Sequence, residues 1–234
     1  MKTGFLAVLL VLLGAGTAFA GSCVTDTYDN YVGNSCTISV NPPGDIKTFS
    51  NFSYSASGTS HMPDNQITVN PINFAFNAGF LFNAPWIASP NQTQTSMIGF
   101  TTQISSGSAL IDDLSLLMFG GGVAGTGTVS VSETYCLGDT FSDGCAHGTT
   151  GTLSTFLNSK GSQLVATVKF AGVSEVDVEK TIQVSGGSSG FAVLSGVENL
   201  VSEDPPKAPE PGSLATLASS LFAMAGLMGR RLFA

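Results

Sequence analysis

The sequence predicts an all-β protein, an antiparallel β-sandwich with jelly-roll-like connectivity and an apolar helix at each terminus. Short stretches in which apolar and polar residues alternate recur from Cys36 to Val201, and glycine, proline, asparagine and serine separate them. Helical character is confined to the two ends of the chain, where the segments are apolar rather than amphipathic. About ten short strands with hardly a helix between them favour two packed sheets.

The strand-like stretches follow one another through the middle of the chain. In order they are TISV (37–40), FSNFSYSAS (49–57), QITV (66–69), INFAF (72–76), SMIGFTTQIS (96–105), ALIDDLSLLMF (109–119), TVSVSETY (128–135), LSTFL (153–157), QLVATVKFAG (163–172), TIQVSG (181–186) and GFAVLSGV (190–197). Because residues two apart on a strand share a face, alternating apolar residues predict the inner face of a sheet. The residues expected there include Phe74 with Phe76, Phe80 with Phe82, and Leu164 with Ala166, Val168 and Phe170.

The first 20 residues are predicted to be a signal peptide. Lys2 gives a positive start, Phe5 to Leu13 form an apolar core, and Ala18-Phe19-Ala20 has the small-x-small pattern of a signal-peptidase site. We therefore expect export through the Sec machinery and cleavage after Ala20. Lipidation of Cys23 is the alternative, although the residues before it lack the large aliphatic side chain of a lipobox.

The charge of the chain argues against nucleic acid as a partner. Of its 16 acidic residues all lie between Asp26 and Glu210, and five lysines fall within residues 21–211, which gives this stretch a net charge of 5 − 16 = −11. Arginine is absent from the same stretch. Without a basic patch or a guanidinium fork, phosphate backbones have nothing to bind.

The four cysteines fall as two pairs that are close in sequence, Cys23 with Cys36 and Cys136 with Cys145. In an exported chain disulfides are the expected state, and these two pairings are favoured among the three possible because each closes a short loop near strand ends. A zinc site is the alternative, but the sequence contains no CxxC and only His147 lies near either pair.

The C-terminal end divides into three parts. Residues 202–211 are rich in proline and acid and predict an extended linker after a sandwich domain of residues 21–201. Residues 212–229 carry no charge and predict a transmembrane helix of about 27 Å, just short of a bilayer core of about 30 Å. Residues 230–234 begin with Arg230 and Arg231, which predict a short cytoplasmic tail.

This arrangement resembles the sorting segment of bacterial PEP-CTERM proteins. The motif Pro209-Glu210-Pro211, the weak apolar helix and the pair Arg230-Arg231 match its three parts in order, although the family often ends in a longer basic run. The resemblance covers residues 209–234. It implies recognition and cleavage near the motif by an exosortase, a membrane-embedded transpeptidase, and an association with exopolysaccharide in a Gram-negative-type envelope. It implies an inner-membrane-anchored precursor and then a place at the cell surface or in the extracellular matrix.

Two glycine-rich motifs match known patterns without their structural context. GGSSG (186–190) fits the nucleophile elbow with Ser188, but the residues after it predict a strand, so we expect a hairpin turn. GGGVAG (120–125) fits a dinucleotide loop, but a strand is again predicted where a helix is needed. The two histidines, His61 and His147, lie outside any recognisable catalytic frame.

Two stretches are candidates for ligand binding. The segment 136–148 contains Asp139 and Asp143, whose oxygens suit calcium, although solvated turn aspartates are the alternative. Trp86 is the only tryptophan, and the polar, proline-containing segment 83–96 predicts a loop in which its ring could stack on a sugar. A half-buried loop anchor is the competing interpretation of Trp86.

These observations lead to one functional prediction and two alternatives. The prediction is a non-catalytic, exported surface or matrix protein that is sorted through its C-terminus and associates with exopolysaccharide, with no cofactor apart from a possible calcium ion. The first alternative is a carbohydrate-binding module with Trp86 as its platform. The second is a secreted hydrolase.

Overall fold

Fifteen strands in two sheets make up most of the computed structural model, which describes residues 21–40 and 45–203. The eight-stranded sheet contains, in spatial order, β1 (Gly21–Ser22), β3 (Cys36–Ser39), β4 (Ile46–Gly58), β7 (Thr93–Ser106), β14 (Glu175–Ser185), β10 (Thr128–Leu137), β11 (Thr149–Asn158) and β12 (Gly161–Gln163). The seven-stranded sheet contains β13 (Val165–Val173), β8 (Ile111–Phe119), β15 (Phe191–Glu203), β6 (Asn77–Ala88), β5 (Thr68–Phe74) and β2 (Asp26–Thr27), and β9 (Gly122–Ala124) pairs with β15.

The helices of the described residues are short. They are α1 (Tyr28–Tyr31) and two 3₁₀ turns, Asp64–Gln66 and Phe141–Asp143. None of the helices in residues 21–40 and 45–203 has the length and apolar character to cross a membrane. The prediction of a two-sheet, all-β protein is confirmed, and the predicted signal peptide, C-terminal helix and sorting motif lie outside the described residues.

Alternating residues of both sheets fill the space between them. At the centre lie rings that meet edge to face, such as Phe49 with Phe80 at 4.7 Å between centroids and Phe80 with Phe100 at 5.6 Å. In β4 a bulge at Asn51, whose φ is 55°, places two residues between Ser50 and Ser53, whereas one residue lies between their partners Thr101 and Gly99 on β7. The extra residue brings both Phe49 and Phe52 to the inner face, three positions apart.

Some residues predicted to be core are exposed because they lie at strand ends or on an edge. Phe74 is 74% exposed, since it ends β5 just before a tight turn in which Ala75 has a φ of 51°. Leu164 is 43% exposed beside the edge strand β13. Phe80 and Phe82 are fully buried, as predicted, and Ala166, Val168 and Phe170 are partly buried against the core.

Two lysines are buried between the sheets, and each reaches from the eight-stranded sheet to β15. Lys47 on β4 lies 3.4 Å from Glu203 and donates to the Val201 carbonyl at 2.8 Å. Lys180 on β14 lies 3.1 Å from Glu133 of β10 and donates to Asn199 of β15 at 3.1 Å. Polar contacts therefore join the two sheets inside a largely apolar core.

The last strand of the domain ends at Glu203, two residues beyond the predicted end of the domain at residue 201. The predicted linker begins at residue 202, whereas β15 continues through Glu203, and Ser202 and Glu203 are both buried. Ser202 donates to Asn77 and Glu203 pairs with Lys47, so these two residues belong to the sheet. The sequence prediction placed the boundary too early because polar residues here were assigned to the solvent.

Both predicted disulfides are present. Cys23 bonds to Cys36 beside α1, and Cys136 bonds to Cys145 at the end of β10. The described residues hold no free cysteine. Two structural disulfides are typical of extracellular or periplasmic proteins.

We expect the Lys47→Met substitution to lower the free energy of unfolding by about 3 to 5 kcal/mol, because it leaves the Glu203 carboxylate buried without its cation. The double variant Lys47→Met, Glu203→Leu should recover most of that loss. Urea denaturation measures both, with the exposed Lys160→Met as the control. Equal loss in the single and double variants would contradict a buried ion pair.

Candidate functional site: a cleft on the outer face of the eight-stranded sheet

The outer face of the eight-stranded sheet carries short hydroxyl side chains in cross-strand rows. In one row Ser53 of β4, Gly99 of β7 and Glu179 of β14 lie side by side. Further residues of this face are Ser55, Ser57, Thr95, Thr101, Ser130, Ser132, Thr134, Thr152, Ser154 and Thr181. A face of this kind offers hydrogen-bonding groups to a ligand at little cost in side-chain entropy.

The segment between β10 and β11, residues 138–148, folds over one end of this face. The Cys136–Cys145 disulfide ties it back to β10, and Gly144 and Cys145, with φ of 78° and 57°, reverse its direction. At Gly148 a Cβ would lie 2.7 Å from both disulfide sulfurs, so only glycine fits there without displacement. The segment is therefore a constrained wall above the sheet.

A cleft of about 400 Å³ lies between this wall and the strands. Its lining residues are Asn51, Ser53, Gly99, Phe100, Thr140, Phe141, Ser142, Asp177, Val178 and Glu179. An adjoining depression of about 190 Å³ shares Ser53, Gly99 and Glu179 with it and continues to Met97, which is 45% exposed. The size falls within the range of small-ligand sites.

Gly99 makes the floor of the cleft low. A Cβ at this position would lie 2.5 Å from Ser53 Oγ, within the space that the cleft occupies. Below the floor, the buried Tyr28 hydroxyl donates to the Gly99 carbonyl at 2.9 Å and lies 3.1 Å from the Ser53 carbonyl. The bulge in β4 interrupts the ladder here, so Tyr28 satisfies carbonyls that would otherwise be unpaired.

Asp177 connects the floor to the wall. Its Oδ1 accepts from Thr101 Oγ1 at 3.0 Å, and its Oδ2 accepts from the Phe141 amide at 2.8 Å. Asn51 in turn donates to Thr101 Oγ1 at 3.0 Å. Burial raises the pKa of the Asp177 carboxyl, and the hydrogen bonds from Phe141 and Thr101 oppose that shift.

The cleft is acidic. Glu175, Asp177 and Glu179 lie on the outer face of β14 at alternate positions, so their carboxyl groups follow one another along the strand. Burial, followed by the charges of Asp177 and Asp139, raises the pKa of Glu175. These carboxylates and the neighbouring hydroxyls can accept hydrogen bonds from a polyhydroxylated ligand and donate hydrogen bonds to it. The carboxylates repel an anionic ligand.

Trp86 does not form a sugar platform, and that prediction is wrong. The residue lies within β6 rather than in a loop and is fully buried. Its Nε1 donates to Ser96 Oγ at 3.1 Å in the core. The alternation that starts at Phe80 continues through Ala84, Trp86 and Ala88, and this pattern indicates a strand despite Pro85.

The two aspartates proposed for calcium lie in the wall segment. Asp139 Oδ2 accepts from the His147 amide at 2.8 Å, and this bond, together with one from Thr140, lowers the pKa of Asp139. Asp143 is exposed in the 3₁₀ turn. Among the described residues no group of three or more histidine, cysteine, aspartate or glutamate side chains is placed to hold a metal ion.

The remaining catalytic candidates lie apart from the cleft lining. Ser188 is exposed in the turn 187–189, and strand β15 follows it, as the sequence predicts. That turn is not a hairpin, since it leads from β14 in one sheet to β15 in the other. His61 and His147 are both exposed, and neither lines the cleft.

Sequence reasoning did not identify the cleft residues. Asp177 and Glu179 lie between the predicted strands 163–172 and 181–186, in residues that the sequence does not assign to a strand, although β14 includes them. Their spacing of two places them on one face of a strand, but many solvent-facing acids share that spacing. Asn51 gives no local signal, because its role depends on a bulge that only strand pairing reveals. The site arises from the meeting of β4, β7, β14 and the wall.

No protein-family model and no curated protein matches the chain. Among solved structures it is similar to the carbohydrate-binding module TmCBM61 in complex with beta-1,4-galactotriose, at 7% identity and a TM-score of 0.31, over 62% of this chain and 86% of that one. It is also similar to the enzymatically active domain of bacteriophage CBA120 tailspike protein 4, at 16% identity and a TM-score of 0.26. That match covers 64% of this chain and 19% of the tailspike chain. Similarity at this level identifies neither a ligand nor an activity.

We expect Asp177→Ala to loosen the wall of the cleft. The Phe141 amide loses its acceptor, and a hydrogen bond to a carboxylate is worth about 1.5 kcal/mol or more. Hydrogen exchange of the Phe141 amide should therefore accelerate about tenfold. Glu179→Ala, on the same face of the same strand, is the control and should leave this exchange rate unchanged. Equal exchange rates in wild type and Asp177→Ala would contradict the anchoring role.

Proposed function

We propose that this protein is an exported, non-catalytic surface or matrix protein that binds uncharged polysaccharide in the cleft of the eight-stranded sheet. The observation that carries this proposal is the composition of the cleft: hydroxyl, amide and carboxylate groups surround a floor opened by Gly99, with Phe141 on the wall. Sugar recognition uses such polar groups together with an aromatic face. The net negative charge disfavours anionic polymers.

The cleft supports binding better than hydrolysis. A glycosidase uses two carboxyl groups that both face the scissile bond, with separations of about 5 to 10 Å. Both oxygens of Asp177 are instead occupied by Thr101 and Phe141, which leaves Glu179 as the accessible carboxylate of the cleft. This arrangement supports a positioning role for Asp177.

The location of the protein belongs to the same proposal. The two disulfides fit an exported protein, and residues 209–234 carry the PEP-CTERM-like segment that an exosortase would process. We propose that the precursor is anchored in the inner membrane and that the processed protein resides at the cell surface or in an exopolysaccharide matrix. A sugar-binding cleft would hold the protein in such a matrix after the anchor is removed.

The strand order supports the jelly-roll-like connectivity. From β6 onward the chain crosses between the sheets at six of its nine connections, and the final strands β14 and β15 lie beside the earlier strands β7 and β6. Two antiparallel sheets whose late strands lie beside early ones are typical of jelly rolls. The strands β4 and β5 then extend the two sheets beyond that motif.

Replacement of Gly99 tests the cleft as a binding site. A glycan array that includes uncharged and uronic-acid polysaccharides identifies the bound sugar, and Gly99→Val should weaken that binding at least about tenfold because the new side chain occupies the floor. Thr167→Val, an exposed change on the other sheet, is the matched control. Unaltered binding by Gly99→Val, or no binding by the wild type, would reject the cleft.

Deletion of residues 209–234 tests the sorting proposal. The truncated protein should be released into the medium, and continued retention in the envelope would overturn the proposal. A variant with Pro209 and Pro211 changed to alanine keeps the apolar run and the arginines. It should accumulate as an unprocessed membrane precursor, whereas normal processing would show that the motif is not the recognised element.

A further inference from the structure

A buried lysine, glutamate and asparagine meet at the centre of the sandwich and are used by neither the cleft nor the tail. Lys180 is 1% exposed, and Glu133 and Asn199 are 0% exposed. They come from three strands and from both sheets: β14, β10 and β15. Removing a charged pair from water carries a large desolvation cost, which the contacts among these side chains must offset.

The three side chains contact one another in a closed triangle. Lys180 Nζ lies 3.1 Å from Glu133 Oε2 and 3.1 Å from Asn199 Oδ1. Asn199 Nδ2 donates to Glu133 Oε1 at 3.2 Å and to the Ser115 carbonyl at 3.3 Å. One carboxylate therefore touches both the lysine nitrogen and the amide nitrogen of asparagine.

The surroundings are dry and aromatic. Lys180 Nζ lies 4.7 Å from the centroid of the Phe100 ring and 5.3 Å from that of Phe82. Burial lowers the pKa of the Lys180 amine, and the Glu133 carboxylate opposes that shift. Low polarity thus favours the uncharged amine, which is the nucleophilic form of lysine.

We propose that Lys180 and Asn199 form an intramolecular isopeptide bond, with Glu133 as the proton-transferring residue. The amine already contacts the amide oxygen, and because that oxygen is bonded to Cγ the carbon lies within reach of Nζ. Fixed placement of two reacting groups is worth several kcal/mol of the barrier to such a reaction. The cross-link would join β14 to β15 and so tie one sheet to the other.

The reaction balances without any other reagent. Glu133 takes one proton from the Lys180 ammonium, which leaves an amine and a carboxylic acid. The amine lone pair forms the Nζ–Cγ bond, and the C=O electron pair moves to Oδ1. Glu133 gives its proton to Nδ2 of Asn199 and takes one from Nζ. The carbonyl re-forms, the Cγ–Nδ2 bond breaks, and ammonia leaves, while nothing is oxidised or reduced.

The product removes the cost of the buried charges. After ammonia leaves, the lysine nitrogen is part of a neutral amide and Glu133 is a neutral acid, so no ion remains in the core. Isolated ions are far more expensive in an apolar interior than hydrogen-bonded neutral groups. The same burial keeps water from competing with the amine for the amide carbon.

The second buried lysine, Lys47, lacks the side-chain amide partner that the reaction requires. Lys47 Nζ contacts the carboxylate of Glu203 and the backbone carbonyls of Val201 and Phe76. These partners give it no side-chain amide from which ammonia could leave. Lys47 therefore serves as an internal control for the chemistry at Lys180.

Peptide mapping of the exported protein, purified from the cell that exports it and then reduced and denatured, tests the bond. Trypsin does not cleave after an acylated lysine, so residues 170–207 should appear as one peptide that is lighter than its sequence by one ammonia. Chymotrypsin, which cleaves after Phe191 and Leu194, should then leave the two parts joined. Trypsin should cleave normally after Lys47 and Lys169 in the same digest.

Two results would overturn the proposal. One is recovery of the peptide that ends at Lys180 in a yield like that of the peptide ending at Lys169. The other is loss of ammonia together with normal cleavage after Lys180, which indicates a cyclic imide at an asparagine rather than a cross-link. The wild-type digest decides the matter whether or not any variant folds, and it is independent of glycan binding.

The Glu133→Gln variant tests the role of the carboxylate. It retains both reacting residues but lacks the carboxylate that transfers protons, so the cross-linked peptide should disappear while disulfide formation and the circular dichroism of the strands persist. Asn199→Ala, which removes the leaving group, should abolish the same peptide. A full yield of cross-linked peptide in Glu133→Gln would show that Glu133 does not take part in the reaction.

Discussion

A lysine side chain at the centre of an apolar sandwich constrains the residues around it. Lys180 must find its partners within the core, and it finds Glu133 on the neighbouring strand and Asn199 on the facing sheet. In the ladder of β10 and β14, Lys180 and Glu133 are direct partners. A slip of one residue would turn Lys180 to the solvent and leave Glu133 buried alone, so the network fixes the register of the strands as well as the spacing of the sheets.

The same strand carries the outer cleft. Along β14, alternate residues face inward to the network and outward to the cleft, so the register that places Lys180 in the core also places Asp177 and Glu179 on the surface. Tyr28 links the two sides, because its buried hydroxyl supports the carbonyl of Gly99 at the cleft floor. The polar core and the outer cleft are consequences of one strand pairing.

Alternation and cysteine spacing were enough to predict the class of fold and both disulfides. They failed where long-range pairing decides the outcome: Phe74 ends its strand at a turn, Trp86 continues a strand through a proline, and Glu203 is buried by a lysine 156 residues earlier in the chain. The cleft and the triangle around Lys180 depend on residues from several strands. No local pattern in the sequence brings such residues together.

A high-resolution crystal structure of the exported protein tests most directly the claim that the core network is chemically active. We expect continuous electron density from Lys180 Nζ to Asn199 Cγ, at the length of an amide bond, with Glu133 beside it. Separate density for an intact asparagine amide, with the lysine nitrogen at hydrogen-bonding distance, would contradict it.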